Sequence, residues 1–167
     1  MSMEYENLQH EFPPVWDKSS EILILGSFPS VKSREDGFFY GHPRNRFWDV
    51  LSAITGSLRP VTIEEKKDML ISAHIAIWDV IARCQIRGSS DSSIRNVVPN
   101  DISGILANAP IQKILANGRK AGKLYEKYIY PDTQIPITVL PSTSPANAAW
   151  TRERLIEIYR ENIIIPA

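Results

Sequence analysis

The chain has 167 residues, of which 19 are basic and 19 acidic, so its formal net charge is zero. This length predicts one domain over residues 1–167 with an ordinary apolar core, and a neutral chain is not expected to coat a polyanion through many phosphate contacts. The single cysteine, Cys84, leaves no internal disulfide and argues against a cysteine-ligated zinc or iron–sulfur site, so we expect neither a metal nor a cofactor.

Strands and helices alternate along the chain. Residues 1–20 are predicted to form an irregular N-terminal segment, whose acidic start is unlike a signal peptide. No apolar run approaches the ~20 residues that span a bilayer, so we expect a cytoplasmic protein without membrane contact. The remaining predicted elements are, in chain order, a strand at 22–25, helices at 46–54 and 63–72, a strand at 74–80, a long polar loop at 83–100, a helix at 101–108, a strand at 112–116, a helix at 119–128, a strand at 137–140 and a helix at 151–162.

The alternation predicts an α/β fold, a three-layer α/β/α sandwich with a central, mainly parallel four-stranded sheet. In such sheets ligands bind outside the carboxyl ends of the strands. The segments that leave those ends are 26–44, 79–99, 117–118 and 141–147. Most of the unusual side chains of this sequence lie in them, so we expect the functional site at that edge.

Two loops after the first strand are the most informative. Gly26-Ser-Phe-Pro-Ser30 lets the backbone approach a ligand closely, although a plain strand-ending turn has the same pattern. Tyr40-Gly-His-Pro-Arg-Asn-Arg-Phe-Trp48 is more specific, because it combines a ring that can stack on a heterocycle with the amide of Asn45. An amide carries an acceptor and two donors, so it can hold a water or contact a base edge but cannot act as a true base. His42 is either a loop-bracing or a catalytic residue.

Three later segments offer polar groups at the same edge. The Asp91 carboxylate either orients a water or organises its serine-rich loop through an Asx turn. Gly118-Arg-Lys-Ala-Gly122 lies where a strand meets a helix N-terminus, which suits a phosphate but also fits a solvated first turn. Pro141-Ser-Thr-Ser-Pro-Ala-Asn147 is a stiff polar loop that could donate to phosphates around an extruded nucleotide, or an ordinary turn before a helix.

Together, these motifs resemble the uracil-DNA glycosylase superfamily. His42-Pro-Arg-Asn-Arg-Phe-Trp48 is similar to the mismatch-specific uracil/thymine branch. Its combination with Gly26-Ser-Phe-Pro-Ser30 and Pro141-Ser-Thr-Ser-Pro145 most resembles the hypoxanthine (deoxyinosine) branch, which Trp78-Asp79-Val80 and Gly88-Ser-Ser-Asp-Ser-Ser-Ile94 also fit. The resemblance implies a monofunctional DNA glycosylase. Such an enzyme hydrolyses the N-glycosidic bond of a deaminated base, hypoxanthine or uracil, flipped out of DNA, and we expect it to act as a monomer.

The resemblance also implies roles for individual residues. Phe28 occupies the position where many members carry a water-positioning acid or amide, so that role passes to Asn45. The base-contacting amide that some members have before the last loop is Leu140 here. The predicted substrate-binding residues are Gly26, Ser27, Phe28, Tyr40, which would stack on the base, His42 and Asp91. The predicted DNA-binding residues are Ser142, Thr143 and Ser144, inserting at the gap in the duplex, and Arg119 and Lys120, with Arg44 and Arg46 as further phosphate candidates.

Other functions remain open from the sequence. One is a mismatch-specific uracil DNA glycosylase, with the same chemistry on another base. A second is a non-catalytic α/β module that binds nucleotides or damaged DNA, because Phe28 cannot orient water. A third is a small-molecule hydrolase that uses Asp91 on free nucleosides.

Overall fold

A computed structural model describes residues 4–87 and 91–166. It contains these strands and helices: β1 (Tyr5–Gln9), β2 (Ile22–Gly26), α1 (Val31–Asp36), α2 (Phe47–Thr55), α3 (Ile63–Ser72), β3 (Ile75–Asp79), β4 (Ile81–Arg87), β5 (Arg95–Pro99), α4 (Ser103–Asn108), β6 (Lys113–Asn117), α5 (Arg119–Tyr128), α6 (Tyr130–Thr133), β7 (Ile137–Leu140) and α7 (Arg152–Asn162). A 3-10 turn, Asp91–Ser93, precedes β5.

The central sheet has the strand order β3-β2-β6-β7, and its neighbouring strands are all parallel. The second strand in this order, β2, is buried along its whole length, as expected of a parallel strand covered on both faces. The predicted α/β class and four-stranded parallel sheet are therefore confirmed. The four predicted strands each match an observed strand to within one or two residues at either end.

Alternate residues of β2 supply two hydrophobic layers. Ile22 and Ile24 belong to a cluster that includes side chains of α2, α3 and α7, whereas Leu23 and Leu25 belong to one that includes side chains of α4 and α5. Because successive strand residues point to opposite faces, helices cover both faces of the sheet. This packing holds the carboxyl ends of the parallel strands at one edge.

A second, antiparallel sheet of order β1-β4-β5 was not predicted. The irregular segment 1–20 contains β1, and the long loop 83–100 contains β5 and most of β4, so both predictions were wrong. The residues of β1 and β5 are largely exposed, so neither shows the apolar alternation that marks a strand. In the described part of the chain, no helix is long and apolar enough to cross a membrane.

Candidate functional site

A cavity of about 490 Å³ opens at the carboxyl ends of the parallel strands. Its lining comes from the loop after β2, from α1, from the segment between α1 and α2, from the ends of β3 and β4, from Ile94 before β5, and from the segments after β6 and β7. Among the described charged residues of the lining, four are basic and one is acidic: Lys32, Arg34, Arg119, Lys120 and Asp79. The cavity therefore has a net basic wall in a chain whose overall charge is zero.

Asn45 lines this cavity, and its amide orientation is fixed. The Oδ1 atom accepts from the backbone N–H of Phe47 at 3.0 Å and from the Thr143 hydroxyl at 2.8 Å. The Thr143 hydroxyl in turn accepts from Nδ2 of Asn117 at 3.0 Å. Because the Phe47 N–H can only donate, the oxygen of Asn45 must face it, and the Nδ2 hydrogens remain without a partner among the described residues. The amide thus offers donors, not an acceptor, to the cavity.

Thr143 is fully buried, and its side chain joins Asn117 to Asn45. Thr143 also lines the cavity, and its direct contact with DNA stays a prediction. In this structure its buried hydroxyl is used in two hydrogen bonds that hold the Asn45 and Asn117 side chains. The backbone N–H of Thr143 also donates to Oδ1 of Asn117 at 3.0 Å, which fixes the loop after β7 against the end of β6.

Arg46, a predicted phosphate contact, is half-buried and donates to backbone carbonyls of the last loop. Its guanidinium donates to the carbonyl oxygens of Ser144 at 2.8 Å and Asn147 at 3.1 Å, and also to that of Trp150. Its backbone N–H donates to the carbonyl of Thr143 at 3.0 Å. Arg46 therefore ties the last loop to the start of α2, where Asn45 lies.

Tyr40 lies in the cavity wall with a left-handed backbone, φ 53°. Such a conformation is uncommon for a bulky residue and is often found at functional sites. One face of the ring stacks on Phe47, with centroids 4.0 Å apart and planes 26° apart. Stacking on a base would use the other face.

The Tyr40 hydroxyl is buried and has no hydrogen-bond partner among the described residues. Burial, followed by the charge of the Asp79 carboxylate, raises the pKa of Tyr40 well above its ordinary value. The Asn117 amide opposes this shift but is not aligned for a full hydrogen bond. The phenol therefore keeps its proton and remains a potential donor.

The floor of the cavity includes Asp79, whose buried contact with His10 was not predicted from the sequence. Asp79, the last residue of β3, is 4% exposed, and its Oδ2 lies 2.8 Å from Nε2 of His10. Its Oδ1 has no hydrogen-bond partner among the described residues. A carboxylate at the end of a predicted parallel strand was a usable signal for this site, whereas nothing in the sequence around His10 indicated the contact.

Gly26 allows this arrangement. In the sheet register it lies beside Asp79, and a Cβ atom built on it would collide with Oδ1 of that carboxylate and lie 3.1 Å from the Tyr40 hydroxyl. The other residues of the first loop, Ser27 and Phe28, are half-buried and line the cavity. His42 also lines it, and its Nδ1 accepts the backbone N–H of Arg44 at 3.0 Å, which is a loop-bracing contact.

All five predicted DNA-binding residues line the cavity, including the buried Thr143. Ser142 and Ser144 are half-buried, whereas Arg119 and Lys120 are exposed in the first turn of α5. Gly118, with φ 100°, lets this turn approach closely, because a Cβ there would lie 3.1 Å from that of Ser142.

The remaining predicted positions lie elsewhere. Leu140 is 2% exposed and belongs to the core, and Arg44 is exposed and does not line the cavity. Asp91 begins the 3-10 turn, but its side chain and residues 88–90 are outside the described structure. No group of three or more metal-ligating side chains occurs within residues 4–87 and 91–166.

Comparison with known proteins identifies the fold and its family. The model of the uracil DNA glycosylase superfamily matches residues 13–162. A protein of Methanosarcina acetivorans named hypoxanthine DNA glycosylase is 38% identical over 149 residues, covering 88% of this chain and 93% of the relative. One of the same name from Methanosarcina barkeri is 35% identical over 145 residues, covering 86% and 90%.

A solved structure agrees with these matches. The solution NMR structure of a candidate uracil DNA glycosylase from Methanosarcina acetivorans superposes with a TM-score of 0.75 at 36% identity. It covers 90% of this chain and 95% of that one. The sequence resemblance is thereby confirmed: the chain belongs to the uracil DNA glycosylase superfamily.

Proposed function

We propose that this protein is a monofunctional DNA glycosylase that removes hypoxanthine, the base of deoxyinosine, from DNA, and that it acts as a cytoplasmic monomer. The observation that carries the proposal is the fixed Asn45 amide, whose Nδ2 donors have no partner among the described residues and lie beside a cavity lined by Tyr40 and Phe28. Two relatives named hypoxanthine DNA glycosylase, each covering most of the chain, support it.

The substrate nucleotide leaves the duplex and enters the cavity. Flipping costs a few kcal/mol, and least at a mispaired base, so a deaminated base is favoured before any contact with its edge is made. The exposed side chains of Arg119 and Lys120 lie where the flanking phosphates would pass. Ser142 and Ser144, on a loop that Arg46 holds in place, lie beside the gap that the nucleotide leaves.

The bond to the base breaks before water attacks. The N9–C1′ electron pair leaves with the base, and the sugar becomes an oxocarbenium-like cation, as in glycoside hydrolysis. The Asn45 amide cannot remove a proton, but its Nδ2 can hold a water oxygen that attacks C1′ through its other lone pair. Water supplies the hydroxyl on C1′ and the proton that the base gains, so the products are free hypoxanthine and an abasic site.

Departure of the base requires donors, since negative charge collects on its ring. The backbone amides of the loop at 26–28 lie at the end of a buried strand next to the cavity, where they would stabilise this charge as an oxyanion hole does. Such donors are effective because they are held in place by the fold and need no reorganisation during the reaction.

Asp79 provides a means of choosing the base. The carboxyl oxygens of Asp79 can accept hydrogen bonds, and its Oδ1 has no partner among the described residues. Hypoxanthine carries an N1–H donor where adenine has a lone pair. A contact from Asp79 therefore suits hypoxanthine, whereas adenine would bring two acceptors together and leave both unsatisfied.

A panel of duplexes tests the proposed function. Each carries one deoxyinosine, deoxyuridine, deoxyxanthosine or undamaged deoxyadenosine, and alkali cleavage reveals abasic sites while chromatography measures the free base. We expect the highest kcat/KM on deoxyinosine. A higher value on deoxyuridine would assign the protein to uracil repair instead, and binding without any abasic site would make it a non-catalytic module.

A further inference from the structure

The outward face of the second sheet is strongly basic. Along β4, Cys84 and Ile86 are buried, whereas Arg83 and Arg87 are exposed on the opposite face. The register of β1 places Tyr5 and Asn7 on that outward face, since Tyr5 pairs with Arg87 and Asn7 pairs with Gln85. Gln85 also pairs with Arg95 of β5. Three arginines thus share one sheet face, and no described side chain on that face is a carboxylate.

Two of these arginines, Arg87 and Arg95, are held in place without an ion pair to a described residue. The guanidinium carbons of Arg87 and Arg95 lie 4.4 and 3.4 Å from the Tyr5 ring centroid. Nε of Arg95 also donates to Oε1 of Gln85 at 3.0 Å, and Gln85 donates to Oδ1 of Asn7 at 2.9 Å. None of the three arginines forms an ion pair with a described residue. Stacking on the Tyr5 ring and the hydrogen bond to the Gln85 side-chain amide orient the guanidinium groups, and further N–H donors stay available.

The basic face adjoins the cavity. Ile86 and Ile94 line the cavity, and each is followed directly by one of the arginines, Arg87 and Arg95. Because neighbouring strand residues point to opposite faces, β4 contributes Ile86 to the cavity wall and Arg87 to the basic face, and Ile94 lies directly before β5. A polyanion whose extruded residue enters the cavity could continue over this edge.

We propose that the outward face of the β1-β4-β5 sheet, formed by Tyr5, Asn7, Arg83, Gln85, Arg87 and Arg95, is a second DNA-binding surface that contacts phosphates flanking the extruded nucleotide. The inference rests on the proposed function for its choice of polyanion. Three arginines that form no ion pair with a described residue match phosphates, and the side-chain amides of Asn7 and Gln85 can donate to the same oxygens. In a chain of zero net charge, a local patch of this kind supplies the attraction that the whole molecule lacks.

The test measures affinity for undamaged duplex as a function of salt concentration. Each lost phosphate contact lowers the slope of log K against log salt by about 0.9. We therefore expect a smaller salt dependence in the triple variant Arg83→Gln, Arg87→Gln and Arg95→Gln. The magnitude of its slope of log K against log salt should fall by up to about 2.7, and it should bind about tenfold or more weakly at ~0.1 M salt. Arg83→Gln alone should lose about 0.9. Since the Arg83 side chain makes no hydrogen bond with a described residue, this variant tests the surface even if the triple variant is unstable.

A charge-matched control separates the surface from overall charge. Lys18, Arg59 and Arg160 are exposed and lie outside the cavity lining, and replacing all three by Gln removes the same charge. This control should keep the wild-type slope. Equal losses in the two triple variants, or no loss in the first, would overturn the inference.

Excision at saturating enzyme distinguishes this inference from the proposed function. The triple variant should remove hypoxanthine at the wild-type single-turnover rate once bound, because none of its substitutions touches the reacting atoms. If the wild-type protein removes no base but its DNA binding still depends more strongly on salt than that of the triple variant, the proposed function is wrong and the DNA-binding surface is supported.

Discussion

Thr143→Val tests whether the buried hydroxyl positions the catalytic amide. Valine has nearly the same shape, but it removes both the bond to Asn45 Oδ1 at 2.8 Å and the acceptor of Asn117 Nδ2 at 3.0 Å. Since Thr143 is 0% exposed, water cannot replace the hydroxyl, and we expect a loss of about 1–3 kcal/mol in the free energy of unfolding. Asn45 would keep only its bond from the Phe47 N–H, and a misplaced catalytic group of this kind costs about 100-fold in rate.

Thr143→Ser is the matched control, because it keeps the hydroxyl and loses one methyl group, worth about 0.8 kcal/mol. Urea denaturation gives the stability of both variants, and single-turnover excision of hypoxanthine from a deoxyinosine duplex gives the rate of the chemical step. The serine variant should excise within about threefold of wild type, well inside the effect expected of a misplaced group. Wild-type excision by a folded valine variant would refute the positioning role.

Two other substitutions test separate parts of the account. Asp79→Asn can present a donor instead of an acceptor to the base, so excision of hypoxanthine should fall about 10- to 100-fold, whereas excision of the base of deoxynebularine, whose N1 is an acceptor, should stay the same or rise. Equal losses on both would contradict base selection by Asp79. Tyr159→Phe concerns pH: burial raises the pKa of Tyr159 above its ordinary value, and its hydroxyl donates to the Pro141 carbonyl at 2.7 Å. Above about pH 10 the unfolded state loses the Tyr159 proton, whereas the folded state keeps it. The free energy of unfolding of the wild type should therefore fall by about 1.4 kcal/mol per pH unit in that range, relative to that of the variant. If urea denaturation gave the same pH dependence of the free energy of unfolding for the wild type and Tyr159→Phe between pH 9 and 11, this prediction would be wrong.

The parallel sheet was predictable because its strands are apolar runs. Ile22–Gly26 and Ile75–Asp79 are almost wholly buried, and burial on both faces leaves a continuous apolar pattern in the sequence. The loops after these strands meet at the carboxyl edge of the sheet. The order of strands and loops in the sequence was therefore enough to predict that Asn45, Tyr40 and the 142–144 loop lie close together. The motifs also identified the superfamily, which the comparisons confirm.

The second sheet and the floor of the site were not predictable by the same means. Tyr5–Gln9 and Arg95–Pro99 are edge strands with mostly exposed polar residues, and only their pairing with Ile81–Arg87 makes them strands. The His10–Asp79 contact joins residues 69 positions apart, so it depends on where β1 packs. Thr143 and Arg46 carry polar groups that suit DNA as well as loop carbonyls, and only the packing of the last loop shows that the fold uses them.

The central claim is that the Asn45 amide directs water to the sugar of an extruded deoxyinosine. The most direct measurement compares single-turnover release of free hypoxanthine by the wild-type protein, by Asn45→Ala and by Asn108→Ala, a control at an exposed asparagine at the end of α4. We expect release by the wild type and the control, and a loss of about 100-fold or more in Asn45→Ala. Release at the wild-type rate by a folded Asn45→Ala protein would contradict it.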